Sequence, residues 1–231
     1  MPQPRNSSES GAVAWPTILP PRKPLELHQV APGILVVDHF LPPKTLDAFL
    51  ALLQSRSISW TAPNPIPRKG EAARTNHRFQ IQDDEFAQRL WTDSGLAQLC
   101  TDHLELLQGR DQVPGRAKLP CGLNGNVRCY RYDPGSYFGP HYDDDVRDPT
   151  TGATSQWTLL VYLTGTENGV KGGETAFYPN PTRKANGVAI VPELKQGRAL
   201  LHRHGRHCSL HEGRLVEQGT KWVLRSDIMF Q

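Results

Sequence analysis

The 231-residue chain carries 26 Lys and Arg against 23 Asp and Glu, a formal charge of +3 that is too small to argue for nucleic acid by itself. Its 37% hydrophobic content suits a globular protein, and 20 glycines with 20 prolines point to many turns and to β structure rather than a helical bundle. It contains no apolar run of about 18 residues, which argues against a membrane-spanning helix. The opening stretch MPQPRNSSESGAVAW lacks the charged flank and apolar run of a secretory signal. Cys100, Cys121, Cys129 and Cys208 are scattered without CxxC or zinc-like spacing and read as reduced thiols of an intracellular, cytoplasmic protein. A Cys121–Cys129 bridge stays open on spacing alone. The length fits one domain plus a small appendage.

Residues 1–25, polar and Pro-rich, read as a flexible segment ahead of a single domain over 26–231. The apolar run 33–41, GILVVDHFL, is the first expected strand, ended by Pro42 and Pro43. Leu46, Phe49, Leu50 and Leu53 recur at helical spacing and predict a helix over 44–53. A Pro-rich loop is expected over 61–72 and a strand over 73–82. Asp84 is the expected cap of a helix to about Leu99, with a second helical stretch over 100–108.

From Gly125 the pattern turns to β. Strand-like runs follow at NVRCYRY, GSYFGPHYD, WTLLVYL, GGETAFYP, VAIVP (188–192), RALLHRH and KWVLRSDIMF. The expected fold class is α+β, mainly β: a double-stranded β-helix, or jelly-roll, core with supporting N-terminal helices.

Within this region His141-Tyr-Asp143 ends a strand. Residues i and i+2 point to one face of a strand, so the imidazole and the carboxylate converge. They are two-thirds of the facial triad that holds non-heme Fe(II) and leaves its other positions open. The third ligand has four candidates, His202, His204, His207 and His211. A cofactor with a distal carboxylate needs a buried cation. His211 is followed ten residues later by Lys221 at the mouth of an apolar strand, whereas His202 and His207 have glutamates at that distance and His204 has Arg214 in a turn. His211 with Lys221 is the best pairing, leaving the other three histidines as strand-surface groups or groups behind the ligands.

YDPGSYFGPHYDDD, TLLVYL, GGETAFYP, GRALLHRH and HEGRLVEQGTKWVLRSD together resemble the catalytic domain of the Fe(II)/2-oxoglutarate-dependent dioxygenases, most closely the prolyl 4-hydroxylase branch. The likeness spans the catalytic motifs of residues 125–230, and ARTNHRFQ extends it weakly upstream. It implies that His141, Asp143 and His211 are the catalytic iron ligands. It also implies that Lys221 partners the 2-oxoglutarate 5-carboxylate, that Tyr132 offers a hydroxyl to it with Tyr130 as a second candidate, and that Thr158 lines the cosubstrate pocket. The implied cofactors are Fe(II), 2-oxoglutarate and O2, with ascorbate as a reductant. The GGET turn reads as structural.

Arg74, Asn76, Arg78, Asp145 and Arg225 are the candidate substrate contacts. For Asp145 a surface carboxylate, and for Arg225 a rim salt bridge, stand as alternatives, while Asp144 reads as a solvated neighbour. The implied activity is hydroxylation of a C–H bond in a peptidyl or amino-acid-like substrate, with release of succinate and CO2. A small-molecule tailoring oxygenase and a silent jelly-roll binding protein are the competing readings. A nucleic-acid-dealkylating enzyme fits less well, because the pair of arginines on the last strands of that branch is missing here. The substrate lid is expected from residues 61–80 and 144–156.

Overall fold

The computed structural model describes residues 13–63, 67, 71–108, 118–181 and 187–231. Two short strands, β1 (Leu27–Ala31) and β2 (Ile34–Val37), precede helix α1 (Pro43–Gln54) and strand β3 (His77–Gln82). Helices α2 (Asp84–Asp93), α3 (Leu96–Asp102) and α4 (Leu104–Gln108) follow. Then come β4 (Pro120–Leu123), β5 (Asn126–Tyr132), β6 (Phe138–His141), β7 (Thr154–Tyr162), β8 (Lys171–Gly172) and β9 (Thr175–Tyr178). The last strands are β10 (Ala199–Arg203), β11 (Leu210–Gly213), β12 (Val216–Gln218) and β13 (Lys221–Phe230).

The strands form an antiparallel major sheet ordered β1-β2-β10-β7-β13-β5-β3, with β4 on the end of β13. A minor sheet, β6-β11-β9, and a β8-β12 ribbon complete the jelly-roll core. Strand alternation divides the major sheet into two faces. Leu35, Val37, Val127, Cys129, Trp157, Leu159, Val161, Leu201 and Leu224 pack against the helices through Leu46, Phe49, Leu53, Phe86 and Leu90. Ile34, Val36, Tyr130, Tyr132, Tyr162, Leu200 and Val223 turn the other way and meet Phe177 of the minor sheet. A strand covered on both faces has apolar residues at both parities, which is why β2, β7 and β10 read as continuous hydrophobic runs.

The expected helix from Asp84 to Leu99 is two helices, broken where Ser94 bonds back to the Leu90 carbonyl and Gly95 takes a left-handed φ of +80°. Its cap is Asp83, not Asp84: Asp83 Oδ1 accepts the Phe86 N–H at 2.8 Å. The strand expected over 188–192 is a single bridge, Ile190 to Phe177. Strands β1, β4, β11 and β12 were not anticipated; they are short and polar, so they lack the apolar run that marks a strand. Of the expected loop over 61–72, residues 64–66 and 68–70 lie outside the described residues.

The flexible segment expected over 1–25 is corrected from residue 13 onward, residues 1–12 lying outside the described ones. Trp15 and Ile18 are buried in the helical core. The Trp15 ring stacks on Phe86 with centroids 4.1 Å apart, and its Nε1–H donates to Asp83 Oδ2 at 2.8 Å. One aspartate therefore ties the N-terminal segment to the start of α2. Asp83→Ala removes both bonds and is expected to cost about 1–3 kcal/mol, the sum of a lost cap and an orphaned indole N–H. Chemical denaturation measures it; a loss confined to a few tenths would mean that water replaces the carboxylate on both donors.

Candidate metal centre

His141 ends β6, and in the minor-sheet ladder it lies directly opposite His211 of β11. Their ring centroids are 4.2 Å apart. Asp143 follows in the loop after β6, with Oδ1 3.6 Å from His141 Nε2 and Oδ2 3.7 Å from His211 Nε2. The potential ligand atoms of His141, Asp143 and His211 all lie within 4.8 Å of one another. The strand expected to carry His141-Tyr-Asp143 ends at His141, so a cross-strand pair and a carboxylate from the loop two residues on assemble the three.

Both rings are held in the same way. His141 Nδ1 bonds the Gly139 carbonyl at 2.9 Å, and His211 Nδ1 bonds the Ser209 carbonyl at 3.0 Å. A carbonyl only accepts, so Nδ1 carries the hydrogen and the Nε2 lone pair is left facing the carboxylate. Burial pushes both imidazoles toward the neutral form, His211 to about 4, against the pull of Asp143. Burial alone would raise the Asp143 carboxyl; the Arg225 guanidinium, then the surrounding imidazoles, hold it well below the usual carboxylate range. Two neutral imidazoles and one carboxylate are a donor set that fits non-heme Fe(II).

Asp143 Oδ2 is fixed by two donors, Thr158 Oγ1 at 3.0 Å and Arg225 Nη2 at 2.9 Å. These contacts correct two expectations. Thr158 does not line the pocket: it is fully buried, donates to Asp143 and takes the Nδ1–H of His204 at 3.0 Å. Arg225, a candidate substrate contact, is not at a rim: it is buried against the carboxylate, is among the residues lining the pocket, and has its Nη2 3.6 Å from Asp227 Oδ1. His202 and His204, expected on the strand surface or behind the ligands, are both buried: His202, on β10, lies under the Phe177 ring of the minor sheet at 5.2 Å, and His204, just past β10, bonds Thr158 and Ser155 of β7.

The pocket beside the three residues is walled by Tyr130, Tyr132, Phe138, Leu160, Val223 and, at Lys221, a cation. Lys221 stands opposite Tyr132 in the β13-β5 ladder. Its Nζ donates to the Gly173 carbonyl at 2.5 Å and lies 5.1 Å and 5.3 Å from the ring centroids of Tyr132 and Tyr162. Burial lowers the ammonium to about 8, with Glu174 opposing the shift. The GGET turn shapes this end: Gly172 and Gly173 have φ of +70° and +76°, and a Cβ on Gly172 would sit 2.3 Å from the Leu215 carbonyl oxygen. Tyr162, whose hydroxyl bonds Thr175 Oγ1 at 2.7 Å, went unread in the sequence; its i+4 parity with Thr158 was the available signal.

The remaining candidates, Arg74, Asn76, Arg78 and Asp145, are not among the residues lining this pocket. Arg78 is paired with Tyr130 across the β3-β5 ladder and so shares its face of the sheet, while Asn76, buried just before β3, donates its Nδ2 to the His77 carbonyl at 3.2 Å. Arg74 bridges Phe138, with its guanidinium carbon 5.9 Å from that ring, and Phe138 in turn stacks on His141 at 3.8 Å. Asp145 is exposed in the loop after Asp143 and is not among the pocket-lining residues.

Residues 127–226 match the family model of the 2OG-Fe(II) oxygenase superfamily. No curated protein is similar enough in sequence to match the chain. The fold is shared with the viral collagen prolyl hydroxylase of Paramecium Bursaria Chlorella virus-1 in its 2OG complex, at 22% identity and a TM-score of 0.52 over 85% of this chain and 96% of that one. A Pseudomonas putida prolyl-4-hydroxylase is similar at 19% identity and a TM-score of 0.52, over 85% and 91% of the two chains. A Trichoplax adhaerens prolyl hydroxylase in complex with a hypoxia inducible factor peptide fragment is similar at 19% identity and 0.55, over 86% and 84%.

Proposed function

We propose that this chain, an Fe(II)/2-oxoglutarate-dependent oxygenase whose family motif occupies residues 127–226, hydroxylates a C–H bond in a peptidyl substrate, with proline the first candidate residue. One observation carries the reading: a single pocket has His141, Asp143 and His211 on its wall together with the buried ammonium of Lys221. His141 Nε2, His211 Nε2 and Asp143 Oδ1 would hold the iron. Bound iron with 2-oxoglutarate and O2 supplies the oxidising power, the cosubstrate leaving as succinate and CO2.

The chain's own residues do the positioning. Thr158 and Arg225 occupy Asp143 Oδ2 and thereby leave Oδ1 free to ligate. Lys221 and the hydroxyl of Tyr132, with Tyr130 beside it, would take the distal carboxylate of the cosubstrate by charge-assisted hydrogen bonding. Leu160, Val223 and Phe138 are apolar walls that keep water from the centre. Arg74, Asn76 and Arg78, on the β3 side next to Phe138 and Tyr130, are the proposed peptide contacts. The similarity in fold to three prolyl hydroxylases, one of them bound to a peptide, supports a peptide over a free metabolite.

The test is succinate release from wild type and His141→Ala with Fe(II), 2-oxoglutarate and ascorbate, with and without proline-containing peptides. Succinate from the wild type only, raised by a peptide that gains one oxygen, is the expected result. Turnover raised by small metabolites and by no peptide would replace the peptidyl reading with a tailoring oxygenase.

A further inference from the structure

We propose that the substrate peptide is acidic: Arg74 and Arg78, beside the pocket, take the carboxylate of an Asp or Glu two or three residues from the residue that is hydroxylated. The proposal rests on the peptidyl reading above and names the kind of peptide. Residues 73–82 run from the minor sheet to the major one. Arg74 bridges Phe138 of β6, and the Gly139 N–H donates to the Ala73 carbonyl at 2.7 Å. Four residues on, Arg78 stands opposite Tyr130 of β5, with Gln80 opposite Arg128. One short segment thus sets a guanidinium beside each sheet.

Strand parity gathers further cations on the same side. Arg128 shares the face of Tyr130 and Tyr132 on β5, and its ladder partner is Arg225 of β13. Two carboxylates answer this pair: Asp143, 2.9 Å from Arg225, and Asp227, 3.6 Å from Arg225 and 3.8 Å from Arg128. Arg74 and Arg78 are half-buried, and among the described residues neither has a carboxylate at ion-pair distance. Burial, then repulsion from Arg74 and Arg128, pushes the Arg78 guanidinium below its usual value, with Tyr130 opposing. The Arg74 guanidinium carbon is 5.9 Å from the Phe138 ring, a cation–π contact that holds the side chain without cancelling its charge. Fe(II) and the dianion of 2-oxoglutarate offset each other, so the positive surplus persists in the loaded centre.

A purely structural role for the two arginines leaves this charge unanswered. Like charges held side by side and half out of water disfavour one another, and an arriving anion relieves them. A guanidinium fork suits a carboxylate, which it can meet through two parallel hydrogen bonds. Phe138, under Arg74, stacks on His141 at 3.8 Å. The guanidinium is therefore within about 10 Å of that ring, and an extended peptide rising about 3.3 Å per residue covers the distance in two or three residues. A phosphodiester backbone offers anions too, but two arginines on one segment of a chain with a formal charge of +3 are not the basic stripe that a nucleic acid needs.

The probe is a set of proline peptides with blocked ends, carrying Glu, Gln or Lys two or three residues from the proline. Hydroxylated peptide is counted by mass spectrometry for the wild type, Arg74→Gln, Arg78→Gln and Arg78→Glu. The wild type is expected to favour Glu over Gln by at least about tenfold in kcat/KM, mainly through KM, and to lose that preference as salt is added. Either glutamine variant should bring the Glu-to-Gln ratio toward one, and Arg78→Glu should favour the Lys peptide. Each comparison is a ratio within one protein, so a partly unfolded variant does not mimic the result. Wild type that hydroxylates the Glu, Gln and Lys peptides alike overturns the proposal without needing a variant, and leaves the peptidyl reading standing. A Glu preference that survives both glutamine variants also overturns it, because the contact then lies elsewhere. A single-stranded oligonucleotide that competes more strongly than the Glu peptide overturns it in favour of a nucleic-acid substrate. Hydroxylation of no peptide in the set overturns the peptidyl reading itself.

Discussion

Lys221→Ala is expected to raise the 2-oxoglutarate concentration for half-maximal turnover by about a hundredfold or more. Lys221 is 3% exposed; its ammonium donates to the Gly173 carbonyl, and among the described residues no salt bridge pairs it with a carboxylate, Glu174 acting on it only through the field. Truncating one side of a buried ion pair costs about 3–5 kcal/mol, and about 1.4 kcal/mol is tenfold in affinity. Lys221→Met, which keeps most of the volume, separates lost charge from lost packing and is expected to behave like the alanine variant. An unchanged 2-oxoglutarate dependence in both would leave Lys221 as a core residue that merely props the Gly173 turn.

The same ammonium gives the protein a pH signature. Burial lowers it to about 8 from the usual 10.5. Below about 8 the folded chain carries the full cost of the buried charge. Between these two values the unfolded chain binds more protons than the folded one, so stability rises with pH across that window. Cosubstrate binding runs the opposite way, weakening as pH climbs past about 8 and the charge disappears. Lys221→Met should flatten both trends, readable from denaturation midpoints and 2-oxoglutarate titrations at pH values on either side of the window.

The jelly roll was legible because strands such as β7 and β13 are long, β-branched and bounded by turns, and because His141 and Asp143 announce their common direction by a spacing of two. The helix break at Gly95 and the capping by Asp83 were not, since an Asp-Asp pair and a Ser-Gly pair each offer two neighbouring positions for one boundary. Side-chain partners were least accessible. Arg225 meets Asp143 from a distant strand, and nothing local distinguishes that pairing from a salt bridge at the rim. His202 ranks below His211 in the sequence because Glu212, not a cation, follows it by ten residues. The minor sheet, through Phe177 and His211, buries it. Sequence periodicity gives the face of a strand; the neighbours of that strand decide whether the face is dry.

Arg225→Met is expected to destabilise the metal-free protein by about 3–5 kcal/mol, because it leaves Asp143 buried without its cation. The guanidinium is only 11% exposed and sits 2.9 Å from Oδ2, while Asp227 keeps a second partner in Arg128 at 3.8 Å. In the wild type the depressed Asp143 pKa contributes stability that is present above the unfolded carboxylate value of about 3.9 and is lost as pH falls through the folded one. The gap between variant and wild type should therefore be widest near neutrality and close in acid. A divalent ion acts on the same carboxylate. With the competing positive charge gone, Mn(II) should bind the variant more tightly and raise its melting temperature more than it raises that of the wild type. A smaller metal-induced shift in the variant would mean that Arg225 serves the centre by aiming Asp143 rather than by balancing its charge. In that case the geometry of the carboxylate, and not the field around it, limits how well this pocket holds its metal.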